Sequence, residues 1–245
     1  MIDPAVARAV AIAERVARAC MPDLAGVPLY ILQPRAGSML TREMTCQRGG
    51  LYFPNLDVAF RNQLEADGKW RGRGVGIVVD ATLLFACEPD DDDAQRAVIG
   101  SALHELAHWV DRLTPTSEPP VDVYAAFRNA RRPDAPRPGN DPPRQFSDSF
   151  LAHAENFIRL CSHLWHRARH GGGYSLRPER LHFGNAYPGL EYLPSPPEFI
   201  DALWPELTAL QDLPLRSLAD IPAPKPFTDL WDSVLETYCV NNSAA

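Results

Sequence analysis

The chain has 245 residues, of which 45% are hydrophobic and 22% charged, as is typical of a globular protein with a sizeable core. A net charge of −7 argues against a dedicated nucleic-acid-binding protein, which normally carries a basic face, so no nucleic-acid partner is expected. Five scattered cysteines without CxxC spacing predict neither a disulfide framework nor a cysteine-ligated zinc site.

The N-terminal segment predicts an amphipathic helix rather than a targeting signal. Asp3 and Pro4 suit the start of a helix, and apolar residues then repeat at helical spacing to about Cys20. Charged residues interrupt this segment, so it contains no signal-peptide core. No window of the sequence approaches the roughly 18 apolar residues that a membrane span requires. The sequence therefore predicts a cytoplasmic protein with reduced thiols and no membrane partner.

Three strands are predicted before residue 90. Val27–Gln33 is a compact apolar run of strand length, and Leu51–Phe60 predicts a strand followed by a turn, with a loop at Ala36–Gly50 between them. Val75–Phe85, with the sequence VGIVVDATLLF, is the strongest strand candidate of the chain. The basic run Lys69–Arg73 before it is interpreted as a turn, with phosphate contact as the alternative.

Four consecutive aspartates, Asp90–Asp93, precede the next predicted helix. They suggest a calcium site, but no EF-hand spacing and no closing glutamate accompany them. Acidic residues at this position cap a helix and interact favourably with the positive end of its dipole. We therefore interpret the aspartates as the start of a helix.

The central helix is predicted over Ala94–Leu113 and contains an HExxH pattern, His104-Glu105-Leu106-Ala107-His108. At about 100° per residue, His104 and His108 stand about 40° apart on one face, so both imidazoles can reach one ion. Glu105 lies about 100° from His104, close enough to touch a metal-bound water without being a ligand. The pattern predicts a zinc site, and the alternative is a helix with two incidental histidines.

The rest of the chain alternates between proline-rich segments and helices. Thr114–Arg144 holds eight of the 24 prolines and predicts an insertion or linker, either a surface excursion or a flap beside the cleft. A second strong helix is predicted over Ser147–His170, where three consecutive glycines end it. Tyr174–Ala245 is again rich in proline, with helices predicted at Pro197–Leu210 and Phe227–Tyr238.

A catalytic zinc site usually has three protein ligands, and the second helix offers the third. His153 and Glu155 are about 200° apart on a helical wheel, so only one of them can face the site. His153 falls within the apolar arc, where an inward imidazole needs a partner, whereas Glu155 lies on the far side and can pair with Arg159. We favour His153. Glu155 is the main alternative, and the others are Asp111, His163, His166 and His182.

The HExxH pattern resembles the signature of the zincin metallopeptidases. The later His153-Ala154-Glu155-Asn156-Phe157-Ile158-Arg159 is similar to the helix of SprT-like zincins, in which a distant histidine completes a three-histidine site. Asp111 stands where metzincins have glycine and Thr114 where they have their third ligand, which excludes that subgroup. Glu155-Asn156 leaves a gluzincin site, with a glutamate ligand, as the alternative. The resemblance covers roughly residues 75–170.

This resemblance implies an α+β, zincin-like fold. A mixed sheet would pack on the central HExxH helix, with a cleft between that helix and a second, ligand-bearing one. The Val75–Phe85 strand would lie at the cleft edge, where such folds bind an extended peptide through backbone hydrogen bonds. We expect residues 1–170 to form the metallopeptidase domain, including the insertion at 114–144. Residues 171–245 would be a proline-rich C-terminal extension packed on the same domain.

The resemblance also implies one Zn²⁺ ion, held by His104, His108 and His153, whose bound water would have a pKa lowered toward about 7. Glu105 would accept the proton of that water during attack on a carbonyl carbon, then pass it to the leaving amine. Asp111 is a candidate to bond a ligand imidazole. The candidates for an oxyanion donor are Tyr187, Tyr192, His163 and His182.

The sequence thus predicts a zinc-dependent metallopeptidase with a protein or peptide substrate. An endopeptidase is expected because no device for binding a chain terminus is evident. One alternative is a non-proteolytic zinc-binding protein, and the other is a metal-dependent hydrolase of a non-peptide amide. The oligomeric state is not indicated by the sequence.

Overall fold

The computed structural model describes residues 3–34, 50–52, 55–113, 155–182 and 195–233. In these ranges the chain is α+β, with helices packed around a small mixed sheet of three strands. None of the helices in these ranges is long and apolar enough to cross a membrane. The predicted insertion at 114–144 lies outside the described residues.

The sheet consists of β1 (Leu29–Leu32), β2 (Gly50–Tyr52) and β3 (Val75–Val79), in the order β1-β3-β2. Strand β1 runs parallel to β3, whereas β2 runs antiparallel to it. Every residue of β3 is buried. This continuous burial explains why its sequence is uniformly apolar rather than alternating. The strands predicted at Val27–Gln33 and at the start of Leu51–Phe60 are confirmed.

The prediction of one strand over Val75–Phe85 is wrong in its second half. The strand ends at Val79, and a helix, α4, follows at Ala81–Cys87. Asp80 separates the two elements, because its side chain accepts a hydrogen bond of 2.9 Å from the backbone N–H of Leu83 and so caps the helix. An apolar run alone does not distinguish a buried strand from a helix, and here the capping residue decides.

The position predicted for this strand is also wrong. Because β3 pairs on both sides, it is the middle strand of the described sheet and cannot line a cleft edge. The strand beside the HExxH helix at the end of the described sheet is β2, which begins at Gly50. Among the described strands, β2 is therefore the one near that helix that lies at a sheet edge and could pair with another chain.

The described helices vary from single turns to long elements. They are α1 (Pro4–Cys20), α2 (Leu56–Ala59), α3 (Arg61–Ala66), α4 (Ala81–Cys87), α5 (Asp91–Leu113), α6 (Glu155–His170), α7 (Glu179–His182), α8 (Pro196–Ala209) and α9 (225–233). Short 3-10 segments occur at Pro22–Leu24 and Leu215–Asp220. Three predicted helices are confirmed: those from Pro4, over Ala94–Leu113 and over Pro197–Leu210. Two more are confirmed in their described parts, those over Ser147–His170 and Phe227–Tyr238.

Helix α5 is the central element of the core and carries the HExxH pattern. It begins as the acidic tract predicts, because the Asp90 side chain accepts a hydrogen bond of 2.8 Å from the backbone N–H of Asp93. Its buried side contributes to one apolar cluster that also includes α1, α6 and β3. Phe199 of α8 and Trp231 of α9 belong to the same cluster. Residues after position 170 therefore share the core of the preceding residues.

A buried ion pair joins α6 to α8. The Arg159 guanidinium donates two hydrogen bonds of 2.8 Å to the Glu206 carboxylate, and His163 Nε2 donates a third of 2.8 Å. Arg159 also donates to the backbone carbonyls of Leu218 and Ile221. All three charged or titratable side chains are at most 6% exposed. This network fixes the C-terminal elements against the second helix of the core.

Protonation of His163 is disfavoured in the folded protein. Burial lowers its pKa, as do the nearby Arg167 and Arg159, and these effects outweigh the opposing influence of Glu206. The Nδ1 atom is buried without a hydrogen-bond partner among the described residues, so a second proton would have no acceptor. The neutral imidazole is therefore the form that the fold stabilises.

We predict that the free energy of unfolding falls as the pH decreases below about 6.5. In this range the unfolded chain binds a proton at residue 163, whereas the folded protein, with its lowered pKa, does not. The loss should continue until the pH reaches the folded pKa. Denaturant unfolding of the native protein and His163→Gln between pH 7.5 and 5 measures it, and a smaller slope is expected for the variant. Equal slopes would contradict the role of His163.

Candidate metal centre

The two histidines of the HExxH pattern face each other on α5. Their ring centres are 4.9 Å apart and the ring planes are inclined by 83°. Two imidazoles that bind one tetrahedral ion through nitrogens at about 2.1 Å place their ring centres about 5 Å apart. The arrangement of His104 and His108 is therefore compatible with both rings binding one ion.

The orientation of His104 is fixed by a hydrogen bond from outside its own helix. Its Nδ1 donates to the backbone carbonyl of Leu181, on α7, over 2.7 Å. A carbonyl can only accept, so in the neutral ring Nδ1 carries the hydrogen and Nε2 the lone pair. Burial lowers the pKa of His104, which favours the neutral, metal-binding form. A backbone carbonyl in this role is a common partner of metal-binding histidines.

Phe157 on α6 packs against both imidazoles. Its ring stacks on His108 with centres 4.3 Å apart and contacts His104 edge-on with centres 5.0 Å apart. Phe157 is 1% exposed, so its ring is a fixed part of the interior. This contact brings α6 directly against the histidine face of α5, so Phe157 fills this part of the cleft that the resemblance implies between the two helices.

Glu105 is buried, with 5% of its surface exposed, and its carboxylate lies against the start of β2 at Gly50. It also lies near Cys161 of α6, whose thiol pKa is raised by burial and further by the charges of Asp111 and Glu105. The carboxylate is therefore enclosed by the sheet on one side and by α6 on another. This places the predicted proton acceptor next to His104, in an interior with little access for bulk water.

Asp111 connects the two helices. Its carboxylate accepts a hydrogen bond of 2.6 Å from the Asn156 side-chain amide, which precedes Phe157 on α6. The sequence indicates no role for Asn156 beyond its place in the resemblance. The bond predicted from Asp111 to a ligand imidazole stays a prediction. The observed contact aligns α6 beside the HExxH helix and so supports the position of Phe157.

Glu155 points to a different part of the molecule. It lines a cavity of about 310 Å³ with Arg159, Pro222 and Thr228, among other residues of the C-terminal region. Burial raises the pKa of Glu155, and the charge of Asp232 raises it further. Residue 155 is also about 200° from Phe157 on a helical wheel, whereas Phe157 contacts both histidines. The Glu155 carboxylate therefore lies at this cavity and not beside the imidazole pair.

The predicted pair of Glu155 with Arg159 is replaced by a stronger one. The Arg159 guanidinium donates from Nε and Nη2 to the two carboxylate oxygens of Glu206, and it acts on Glu155 only through its charge. A partner one turn away along the helix was the simplest expectation from spacing. Glu206, which is 47 residues away in sequence, cannot be found from spacing.

Several other site candidates can be placed. His163 bonds Glu206 in the buried network, and its interpretation as a ligand or an oxyanion donor stays a prediction. His166 packs against His170 and Trp204. The predicted third ligand His153 lies outside the described residues, as do Tyr187, Tyr192 and the side chain of His182.

Of the predicted zinc ligands, the described residues bring together the imidazoles of His104 and His108. In the ranges that the structure describes, no cluster of three or more His, Cys, Asp or Glu residues is arranged to hold a metal ion. The pair at His104 and His108, the enclosed Glu105 and the carbonyl that orients His104 make up the described part of the candidate centre.

A comparison of the chain with protein-family models finds no matching family, and searches among curated proteins and among solved structures find no match either.

Proposed function

We propose that the chain is a zinc-dependent metallopeptidase with a zincin-like fold. The observation that carries the proposal is the pair of facing imidazoles on α5, with ring centres 4.9 Å apart, beside a buried Glu105. The hydrogen bond from His104 Nδ1 to Leu181 gives further support, because it presents Nε2 as the nitrogen with the lone pair. The α+β architecture, with a mixed sheet beside this helix, is compatible with such a fold.

We propose His153 as the third ligand, completing a centre of three histidines. It precedes Phe157 by four residues in the sequence, and residues at this spacing share one face of a helix. Since Phe157 contacts both His104 and His108, a helix that starts before position 153 would direct this imidazole toward them. Three protein ligands leave one coordination position for water, as catalytic zinc sites require.

The chain's own residues would perform the proton transfers. Zinc, when bound, supplies the Lewis acid that acidifies a water molecule and polarises a carbonyl. Glu105, which follows His104 directly in the helix, would accept the proton of the water and return it to the leaving amine. Leu181 holds the His104 ring in the tautomer that this chemistry needs. Asp111 and Asn156 hold the two helices together beside the site.

We propose that an extended peptide binds along β2. Among the described residues this strand lies at the end of the sheet, and it starts next to Glu105. Strand edges bind peptides through main-chain hydrogen bonds, which require no particular side chain in the substrate. An internal stretch of a polypeptide is thus the substrate class that this arrangement favours.

Hydrolysis of a diverse library of unmodified peptides, with and without stoichiometric zinc, tests the function. The native protein is expected to cleave internal bonds only when zinc is bound, and a chelator should abolish the cleavage. Bound zinc without cleavage of any peptide or protein would select a non-proteolytic zinc-binding protein. Cleavage restricted to non-peptide amides would select an amide hydrolase.

We predict that His153→Ala lowers zinc affinity by at least about 100-fold, since losing a ligand should cost no less than losing a residue that orients one. Glu155→Ala is the matched control on the same segment and is expected to retain about one zinc per chain, because Glu155 lines the cavity instead. Metal analysis of both dialysed proteins measures the difference. The reverse outcome would assign the site to the type with a glutamate ligand.

A further inference from the structure

Gly50, the first residue of β2, has no room for a side chain. A Cβ atom at this position would lie 2.8 Å from Oε1 and 3.0 Å from Cγ of Glu105. It would also lie 3.2 Å from the backbone carbonyl oxygen of Val78 on β3. Contacts this short require the neighbouring atoms to move. Gly50 is not among the glycines with positive φ, so the close approach and not the backbone conformation is what favours glycine here.

The surroundings limit how Glu105 could respond to a larger residue. Its side chain is buried, with 5% of its surface exposed, so the carboxylate cannot simply turn into solvent. The 3.0 Å approach to Cγ means that the side-chain stem, as well as the carboxylate, would have to shift. On the strand side, Gly50 pairs opposite Val79 within the ladder of β2 and β3, which resists displacement of the strand.

We propose that Gly50 is a positioning residue for the general base: its missing side chain lets the Glu105 carboxylate pack directly against β2, at the place from which it acts on the water. This inference rests on the proposed function. The substitution Gly50→Ala would displace the carboxylate while leaving His104 and His108 in place. Because a misplacement of about 1 Å can cost on the order of 100-fold in rate, kcat is expected to fall by about 10- to 100-fold.

Gly76→Ala in β3 is the matched control. A Cβ at Gly76 would lie 2.9 Å from Leu56 Cβ and 2.9 Å from the Asp57 backbone nitrogen, a similarly close approach that does not involve Glu105. Residues 76 and 79 of the strand face opposite sides of the sheet, and Gly50 pairs opposite Val79. Gly76→Ala therefore imposes comparable crowding on the other side of the sheet from Gly50.

The experiment compares the zinc-loaded, full-length native protein with Gly50→Ala, Gly76→Ala and Glu105→Gln. Gly50→Ala is expected to lower kcat with its zinc content and KM unchanged, whereas Gly76→Ala should keep the native kcat in its folded fraction. Combining Gly50→Ala with Glu105→Gln should give no further loss, because the carboxylate through which Gly50 acts is then absent. Native kcat in Gly50→Ala, loss of its zinc, or an independent further loss in the double variant would overturn the inference.

A second measurement separates this inference from the proposed function. The visible absorption of the cobalt(II)-substituted protein reports the surroundings of the metal and its water without any turnover. Gly50→Ala is expected to change this spectrum in the same sense as Glu105→Gln, and Gly76→Ala should leave it unchanged. A spectrum of Gly50→Ala identical to the native one would overturn the role of Gly50. If the variants show the expected spectral changes but the native protein hydrolyses no peptide, the peptidase function alone is rejected.

Discussion

Glu105→Gln is expected to retain zinc and to lower kcat for peptide hydrolysis by about 1000-fold. A positioned general base typically contributes about 100- to 10,000-fold to a rate, and glutamine cannot accept a proton at the pH of the assay. The side chain is buried and closely packed against Gly50, so a replacement of nearly the same shape is needed to leave the packing intact. Steady-state kinetics combined with metal analysis of the same sample measures both effects.

His104→Ala is the control that separates chemistry from metal binding. It removes one of the two facing imidazoles and the hydrogen bond to Leu181, so zinc and hydrolysis should be lost together. Glu105→Gln should lose hydrolysis alone. If Glu105→Gln kept the native kcat, the assignment of the general base would be wrong, even if zinc were bound as proposed.

The local features of the fold could be predicted from the sequence because short-range geometry determines them. Asp3 caps α1, Asp90 caps α5, and a spacing of four residues places two imidazoles on one face of a helix. Asp80 carries the same kind of signal. A capping aspartate followed by Ala-Thr-Leu-Leu marks a helix start inside the apolar run, and it would have ended the predicted strand at Val79.

The parts of the site that could not be predicted depend on contacts between distant segments. The Leu181 carbonyl that orients His104 is 77 residues away in sequence, and no property of a carbonyl group distinguishes it in advance. Gly50 matters because β2 approaches Glu105 of α5 closely, and the sequence does not give the distance between these two elements. Phe157 could be assigned to an apolar face, but its contact with the two imidazoles required the packing of α6 on α5.

Glu206→Ala is expected to lower the free energy of unfolding by about 3–5 kcal/mol, because it leaves the buried guanidinium of Arg159 without its counter-charge. Arg159 would keep its hydrogen bonds to the carbonyls of Leu218 and Ile221, which satisfy donors but supply no formal negative charge. His163 would lose the carboxylate that its Nε2 contacts at 2.8 Å. Urea-induced unfolding monitored by circular dichroism at pH 7.5 measures the change.

The matched control is Asp229→Ala, which removes a carboxylate from an exposed ion pair with Lys225 on α9. Exposed pairs of this kind contribute about 0.5 kcal/mol or less, so the variant should unfold almost as the native protein does. Both substitutions remove one carboxylate from an ion pair, but the Glu206 carboxylate is buried and is shared by Arg159 and His163. If the two variants were destabilised equally, the Arg159–Glu206 pair would not be what holds α8 against α6, and the apolar cluster containing Phe199 and Phe227 would have to account for it.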